Sequence, residues 1–272
     1  MKPCISNIAW DTSQDDDVAA ILTRYDIQAV ELAPTKYWPA GTEPSEDDVD
    51  QLRERWQQRG MEIVALQALL FGRPELNLLG DEALRGATVA QLIRVVTLGS
   101  RLGARRFVLG SPKNRDRTGL ELAEAHARAR EGLAAIGTAA AKLGGILAIE
   151  PNPPQYGCNF LTTTEEAAEL LEELPTPGLG LHLDTGIMHL GGEDPAAAIT
   201  LGLPRLCHFH VSEPQLATVG SGAVDHAHAA RCLRSAGYEG YVSVEMRPGS
   251  SPAESLQNVE QACALLREHY CR

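Results

Sequence analysis

Four short apolar runs in the C-terminal half of the chain each lead into a side chain able to bind a metal ion. LAIEPNP carries Glu150, LHLDTG carries Asp184, CHFHVSE carries His210 and VSVEMRP carries Glu245. A carboxylate leaving an apolar run is costly to bury alone and needs a cation, a hydrogen-bond network or water. One shared divalent ion would satisfy Glu150, Asp184 and Glu245 together, with His210 as a nitrogen donor. Three oxygen donors and one imidazole suit Mn²⁺, Mg²⁺ or Co²⁺ and tolerate Zn²⁺; Mn²⁺ is the expectation. Any one of these acids taken singly reads more simply as a helix cap or an ion-pair partner. Four metal-ligand types ending four successive runs read better as one site.

Other polar residues follow the remaining runs. Gln67 in LQALLFG, Glu31 in VELAP, and also Asn7, Trp10 and Asn152, are candidates to touch substrate hydroxyls or, for Trp10, a sugar face. The segment GSPKNRDR holds Lys113, Asn114, Arg115 and Arg117, the densest basic group in the chain, suited to a phosphate or carboxylate on a substrate. His182 and His208 lie two residues before Asp184 and His210, so strand parity turns them to the same side one layer lower. They read as core histidines that orient the ligands, with substrate contact as the alternative.

These residues need a scaffold that brings distant strand ends to one place. Val-, Ile- and Leu-rich runs lie near Cys4–Ala9, Gln28–Leu32, Glu62–Gln67, Arg105–Gly110, Gly145–Glu150, Gly178–Asp184, Arg205–Val211 and Gly240–Met246. Between them fall stretches of helical period: Gln14–Tyr25, Ser45–Arg59, Asp81–Leu102, Leu120–Leu143, Thr164–Glu173, Pro195–Leu201, Asp225–Ser235 and Pro252–His269. Gly60, Gly103, Gly144 and Gly237 stand just after helical stretches, and strands follow within a few residues. Eight βα units in 272 residues predict a parallel (β/α)₈ barrel, one domain over 1–272, with its chemistry at the C-terminal strand ends.

The formal charge of −12 and the absence of a long Lys/Arg cluster make nucleic acid a poor partner. The six cysteines form no C-x-x-C pair, and no run approaches the length of a membrane span or an export signal. A cytoplasmic protein without a membrane partner is expected, and a homo-oligomer is compatible. No G-x-x-x-x-G-K-[ST], H-E-x-x-H, G-x-S-x-G or strand-borne G-x-G-x-x-G is present, so nucleotide hydrolysis and serine chemistry are unsupported.

The Glu of IEP, the Asp of LDTG, the second His of HFH and the Glu of VEM, in this order, resemble the xylose-isomerase-like barrels. That superfamily includes sugar and sugar-phosphate isomerases and epimerases, inosose dehydratases and endonuclease IV relatives, and the resemblance covers nearly the whole chain. It implies that Glu150 and Glu245 flank a substrate and move a proton next to a carbonyl of a keto-sugar, sugar phosphate or polyol, through an enediolate. A dehydratase of inosose or dehydroshikimate type would share the enediolate and is the alternative; a non-catalytic sugar-binding barrel is a further one.

Two departures stand out. Family members often continue the aspartate as D-T-x-H, whereas this chain has Ile187 there, with His189 the nearest histidine. Endonuclease relatives hold extra zinc ions with that histidine and others after strands three and four, where this chain has Gln67 and Gly110, so a trinuclear centre is not expected. The loop after His210 often carries a substrate-binding arginine; here it supplies Ser212 and Glu213 instead. Glu213 is expected to act as an extra acid or base, or to pair with Arg247 across the mouth.

Overall fold

The computed structural model describes residues 1–271. The eight apolar runs form β1 Lys2–Ser6, β2 Ala29–Leu32, β3 Glu62–Leu66, β4 Arg106–Leu109, β5 Ile146–Ile149, β6 Leu179–Asp184, β7 Leu206–Ser212 and β8 Tyr241–Glu245. They pair in parallel in chain order, and β1 closes on β8 through Lys2↔Tyr241 to Ile5↔Val244. This is the expected eight-stranded parallel barrel. The first strand begins earlier and ends sooner than its apolar run suggests, because Asn7–Ala9 winds into a single tight turn capped by Ser6.

Around the barrel run α1 Asp15–Arg24, α2 Glu46–Gln58, α3 Glu82–Leu102, α4 Leu122–Lys142, α5 Thr164–Glu173, α6 Thr185–Gly191, α7 Pro195–Gly202, α8 His226–Ser235 and α9 Pro252–Leu265. Local signals start and stop them. Ser45 and Asp48 form a capping box at α2, and Thr163 Oγ1 accepts the Glu166 amide at α5. Gly103 ends α3 at φ +109°, a backbone conformation that favours glycine. Gly99 lets α3 lie close on the sheet: a Cβ there would come within 2.4 Å of Leu66 and 2.7 Å of Phe107 side-chain atoms. Trp10, Trp56, Phe107 and Phe209 are fully buried in the hydrophobic core.

Two segments differ from the periodic reading. Helix α6 is absent from it, since two turns containing Gly186 and Gly191 carry too little periodicity to register. It forms because Asp184 Oδ1 accepts the Ile187 amide at 2.7 Å and so caps its first turn. The last helical stretch, read as continuous to His269, is α-helical to Leu265 and then widens into a π turn over Leu266–Tyr270.

The ladder is irregular beside Glu31 and His182. Register shifts fall between Val30 and Glu31 in the β2–β3 pairing and between Leu181 and His182 in the β6–β7 pairing. Such irregularities re-aim side chains locally. Among the described residues no helix is long and apolar enough to cross a membrane, and all six cysteines are unpaired.

Candidate metal and active site

The C-terminal strand ends bring Glu150, Asp184, His210 and Glu245 together. Asp184 and His210 are register partners on β6 and β7, while Glu150 follows β5 and Glu245 ends β8. His210 Nδ1 stands 3.3 Å from Glu245 Oε2, 3.9 Å from Asp184 Oδ2 and 4.0 Å from Glu150 Oε1. Three carboxylates therefore surround one ring nitrogen. Glu150, Asp184 and His210 can each direct a ligand atom into a group no more than 4.8 Å across.

Each acid is held by its surroundings. Glu150 Oε2 accepts from Asn152 Nδ2 at 2.9 Å, and Oε1 lies 3.3 Å from His182 Nε2. Gly110, at the end of β4, makes room for it: a Cβ there would sit 2.2 Å from Glu150 Oε2. Asp184 divides its two oxygens. Oδ1 accepts from Ile187 N and Ser212 Oγ, each at 2.7 Å, while Oδ2 is buried without a partner. Asp184 thus does cap a helix, but with one oxygen only.

Asp184 Oδ2 and His210 Nδ1 are both buried and without hydrogen-bond partners, and both belong to the same small cluster. An unsatisfied carboxylate oxygen and an unsatisfied imidazole nitrogen facing two further carboxylates form a donor set that suits a divalent cation. This buried cluster of His, Glu and Asp side chains has the donors to hold one.

The electrostatics record the same crowding. Burial, followed by the charges of Glu245 and Glu150, pushes the Asp184 carboxyl up to about 7. Burial raises Glu150 and Glu245 as well, against the nearby His210. Burial also opposes protonation of His210, yet Glu31 and Glu245 outweigh it and hold that imidazole well above its ordinary range. The three acids have folded-state pKa values above their unfolded ones, so the metal-free fold keeps protons that the unfolded chain releases. Their contribution to stability is full below the ordinary carboxylate range and is lost as pH rises toward and through about 7, the Asp184 value.

A bound divalent ion would displace those protons. The gain in Tm on adding excess Mn²⁺ is therefore expected to grow from about pH 5 to about pH 8. Thermal melts with and without Mn²⁺ read this directly, and a gain that stays flat or shrinks over that range would count against a shared cation.

Above the cluster opens a cavity of about 310 Å³. Gln67, Asn152 and Arg247 line it with Glu150, Asp184 and Glu245, as do Ser111, Tyr156, Ile187, Ser212 and Leu216. Gln67 Nε2 also donates to Ser6 Oγ. A depression of about 450 Å³ at the opposite end of the barrel, lined by Arg53, Arg105 and Arg106, has no comparable convergence of acids.

Several candidate residues lie elsewhere. Lys113 is exposed and does not line the cavity. Arg115 turns inward and is buried, with Nε directed at Cys158 Sγ at 3.4 Å. Asn114 and Arg117 are taken up by backbone carbonyls of neighbouring loops. The basic segment therefore does not form one anion-binding group, because its short helical turn, Pro112–Arg115, points its side chains in different directions. His182 and His208 are fully buried inside the barrel, and neither lines the cavity.

Glu213 neither faces the cavity nor pairs with Arg247. It is buried and accepts from Gly220 N, Val224 N and His226 Nε2, tying down the loop that follows β7. That loop closes back on the strand, so the carboxylate near its start is taken up by the loop's own backbone amides and by His226 rather than by the Arg247 side chain. Trp10 is core, donating to Asp15, and Asn7 accepts the Ala33 amide. Glu31 is not at the mouth but deep in the barrel, 2.9 Å from His210 Nε2.

Sequence reasoning missed Ser111, Tyr156, Ser212, Gln215 and Leu216 as cavity residues. Tyr156 sits in a turn, and its hydroxyl accepts the Gln215 amide at 2.7 Å, joining the loops after β5 and β7. No spacing rule points to such a contact. Ser212 had a usable signal: two residues past His210 on the same strand, it shares that ligand's side of the sheet.

Parts of the chain are similar in sequence to named proteins, and the whole of it is similar in fold to solved structures. Over 105 residues the chain is 33% identical to a ketose 3-epimerase of Arthrobacter globiformis, a match covering 39% of this chain and 36% of that protein. Over another 105-residue match it is 31% identical to a putative hydroxypyruvate isomerase of Mus musculus, covering 38% and 37%. The matches span little more than a third of those relatives. A crystal structure of D-psicose 3-epimerase in the presence of D-fructose superposes with TM-score 0.84 at 21% identity over 99% of each chain. The IOLI protein with a binding zinc atom superposes with TM-score 0.76 at 18% identity over 100% of each chain. At these identities the superpositions establish the fold. The family model described as a xylose isomerase-like TIM barrel matches residues 19–269. The chain belongs to the xylose isomerase-like TIM-barrel family.

Proposed function

We propose that this protein is a metal-dependent isomerase or epimerase that moves a proton next to the carbonyl of a keto-sugar, sugar phosphate or related polyol. One observation carries the reading: Glu150 and Glu245 converge on His210 Nδ1 beside a cavity lined by both polar and apolar side chains. They reach it from β5 and β8, the strands on either side of the β6–β7 pair. The ketose 3-epimerase and the hydroxypyruvate isomerase among the relatives support the same reaction type.

A divalent ion, Mn²⁺ in our reading, held by Glu150, Asp184, His210 and Glu245 would supply Lewis-acid polarisation of a ketone and its neighbouring hydroxyl. The protein's own groups do the rest. One glutamate takes the proton from the carbon beside the carbonyl, and the other returns one; in the reverse reaction the roles exchange. Both are mostly buried, so a proton passes to a carboxylate partly shielded from water. Gln67, Asn152 and Tyr156 offer hydrogen-bonding groups to substrate hydroxyls, and Arg247 offers a charged one at the rim. Where relatives of the D-T-x-H type place a histidine, Ile187 presents an apolar surface to this cavity.

The test is proton exchange. Incubating the Mn²⁺-loaded protein with a panel of ketoses and ketose phosphates in D₂O is expected to place deuterium on the carbon beside the carbonyl of recovered substrate. Loss of water with a new enone absorbance would replace this reading with a dehydratase. Binding without exchange across the panel would replace it with a sugar-binding barrel.

A further inference from the structure

Beneath the metal cluster lies a fully buried carboxylate that the proton-transfer scheme does not use. Glu31 Oε2 is 2.9 Å from His210 Nε2, and Oε1 is 3.4 Å from His208 Nε2. Among the described residues its only ion-pair partners are these two histidines; no lysine or arginine reaches it. A carboxylate with no exposed surface and no permanent cation beside it needs a reason to be there. The register shift of the β2–β3 pairing falls immediately before Glu31, and that of the β6–β7 pairing immediately before His182, whose ring centroid is 4.1 Å from that of His210. Both irregularities border the side chains packed around the His210 ring.

We propose that Glu31 is a positioning residue for the metal centre, setting both the orientation and the tautomer of His210. This rests on the metal reading above. A carboxylate can only accept, so Nε2 keeps its hydrogen, and Nδ1, which faces Glu150, Asp184 and Glu245, is the nitrogen left to give its lone pair to a metal ion. Without that acceptor the ring could turn by half a rotation about its Cβ–Cγ bond and present carbon to the cluster. An amide at position 31 could donate to Nε2 through its NH₂ group, which permits the Nδ1–H tautomer that cannot ligate a metal. The carboxylate therefore does what a similarly shaped amide does not. His208 and His182 fill the space around the ring and restrict its tilt.

The experiment is a titration of metal-free protein with Mn²⁺ alone, in competition with a chelating dye, for the wild type, Glu31→Gln and Glu31→Ala. Mn²⁺ Kd is expected to weaken about 10-fold in Glu31→Gln and up to about 100-fold in Glu31→Ala. The Tm of metal-free Glu31→Gln should stay close to that of the wild type. Should Glu31→Ala fail to fold, the nearly isosteric glutamine variant decides alone. Mn²⁺ affinity within about twofold of wild type in Glu31→Gln and in any Glu31→Ala that folds overturns the proposal, as does a fall in metal-free Tm with Kd unchanged, the signature of a merely structural role. A wild type that binds no Mn²⁺ overturns the metal reading together with this one, whereas equal binding in all the variants overturns only the role of Glu31.

Discussion

Glu150→Gln and Glu245→Gln should each lower kcat by about 10²–10⁴-fold, measured as deuterium exchange at saturating Mn²⁺. Glutamine matches glutamate in shape, so packing against Asn152 and His182 on one side, and against His210 on the other, should persist. What disappears is a group able to take up and release a proton. Removing a charge also weakens metal affinity, which is why the metal must be saturating and its bound amount measured. The double variant should be little worse than the poorer single one, since two groups that work in sequence on one proton act as a unit. Wild-type-like exchange in either single variant would sink the proposed roles.

A second large effect is expected at a residue with no functional group. In Gly110→Ala the new methyl would sit 2.2 Å from Glu150 Oε2, far inside contact distance, with Asn152 Nδ2 only 3.5 Å away on the same side. Glu150 must swing aside and give up its bond to Asn152. A displacement of about 1 Å at a reacting group costs roughly 10²-fold in rate, and Mn²⁺ affinity should weaken alongside it. The strand itself tolerates alanine, so the circular dichroism spectrum should be unchanged. Normal exchange and normal Mn²⁺ binding in Gly110→Ala would show that Glu150 does not need the position in which the structure places it.

These two sites differ in how far the sequence reveals them. Glu150, Asp184, His210 and Glu245 are legible because each lies at or near the C-terminal end of a strand, and strand order with strand parity is written locally as runs of Val, Ile and Leu broken by helical stretches. Gly110 was legible only as the absence of a histidine at a strand end. Its actual part, leaving space for Glu150 from the neighbouring strand, depends on the lateral packing of β4 against β5. Glu31 was misplaced at the mouth for a related reason. Residue spacing gives the face of a strand but not the depth at which a long side chain ends, and a register shift beside it moves that point further. Glu213 and Arg247 were paired on charge alone, whereas the loop between Glu213 and His226 folds back to offer backbone amides and a ring nitrogen.

From its sequence alone this chain can be read as an eight-unit parallel barrel with four side chains of metal-binding type at the C-terminal ends of its last four strands. Those facts depend on local periodicity and on the order of elements along the chain, which a single sequence contains. Only the tertiary structure decided which atoms of those residues face one another. It divided Asp184 between a helix cap and the cluster, turned His210 so that Nδ1 looks up and Nε2 looks back to Glu31, and drew the basic segment apart into buried and exposed members. Orientation of this kind is settled by contacts between residues as many as 179 positions apart, so no spacing within one strand encodes it.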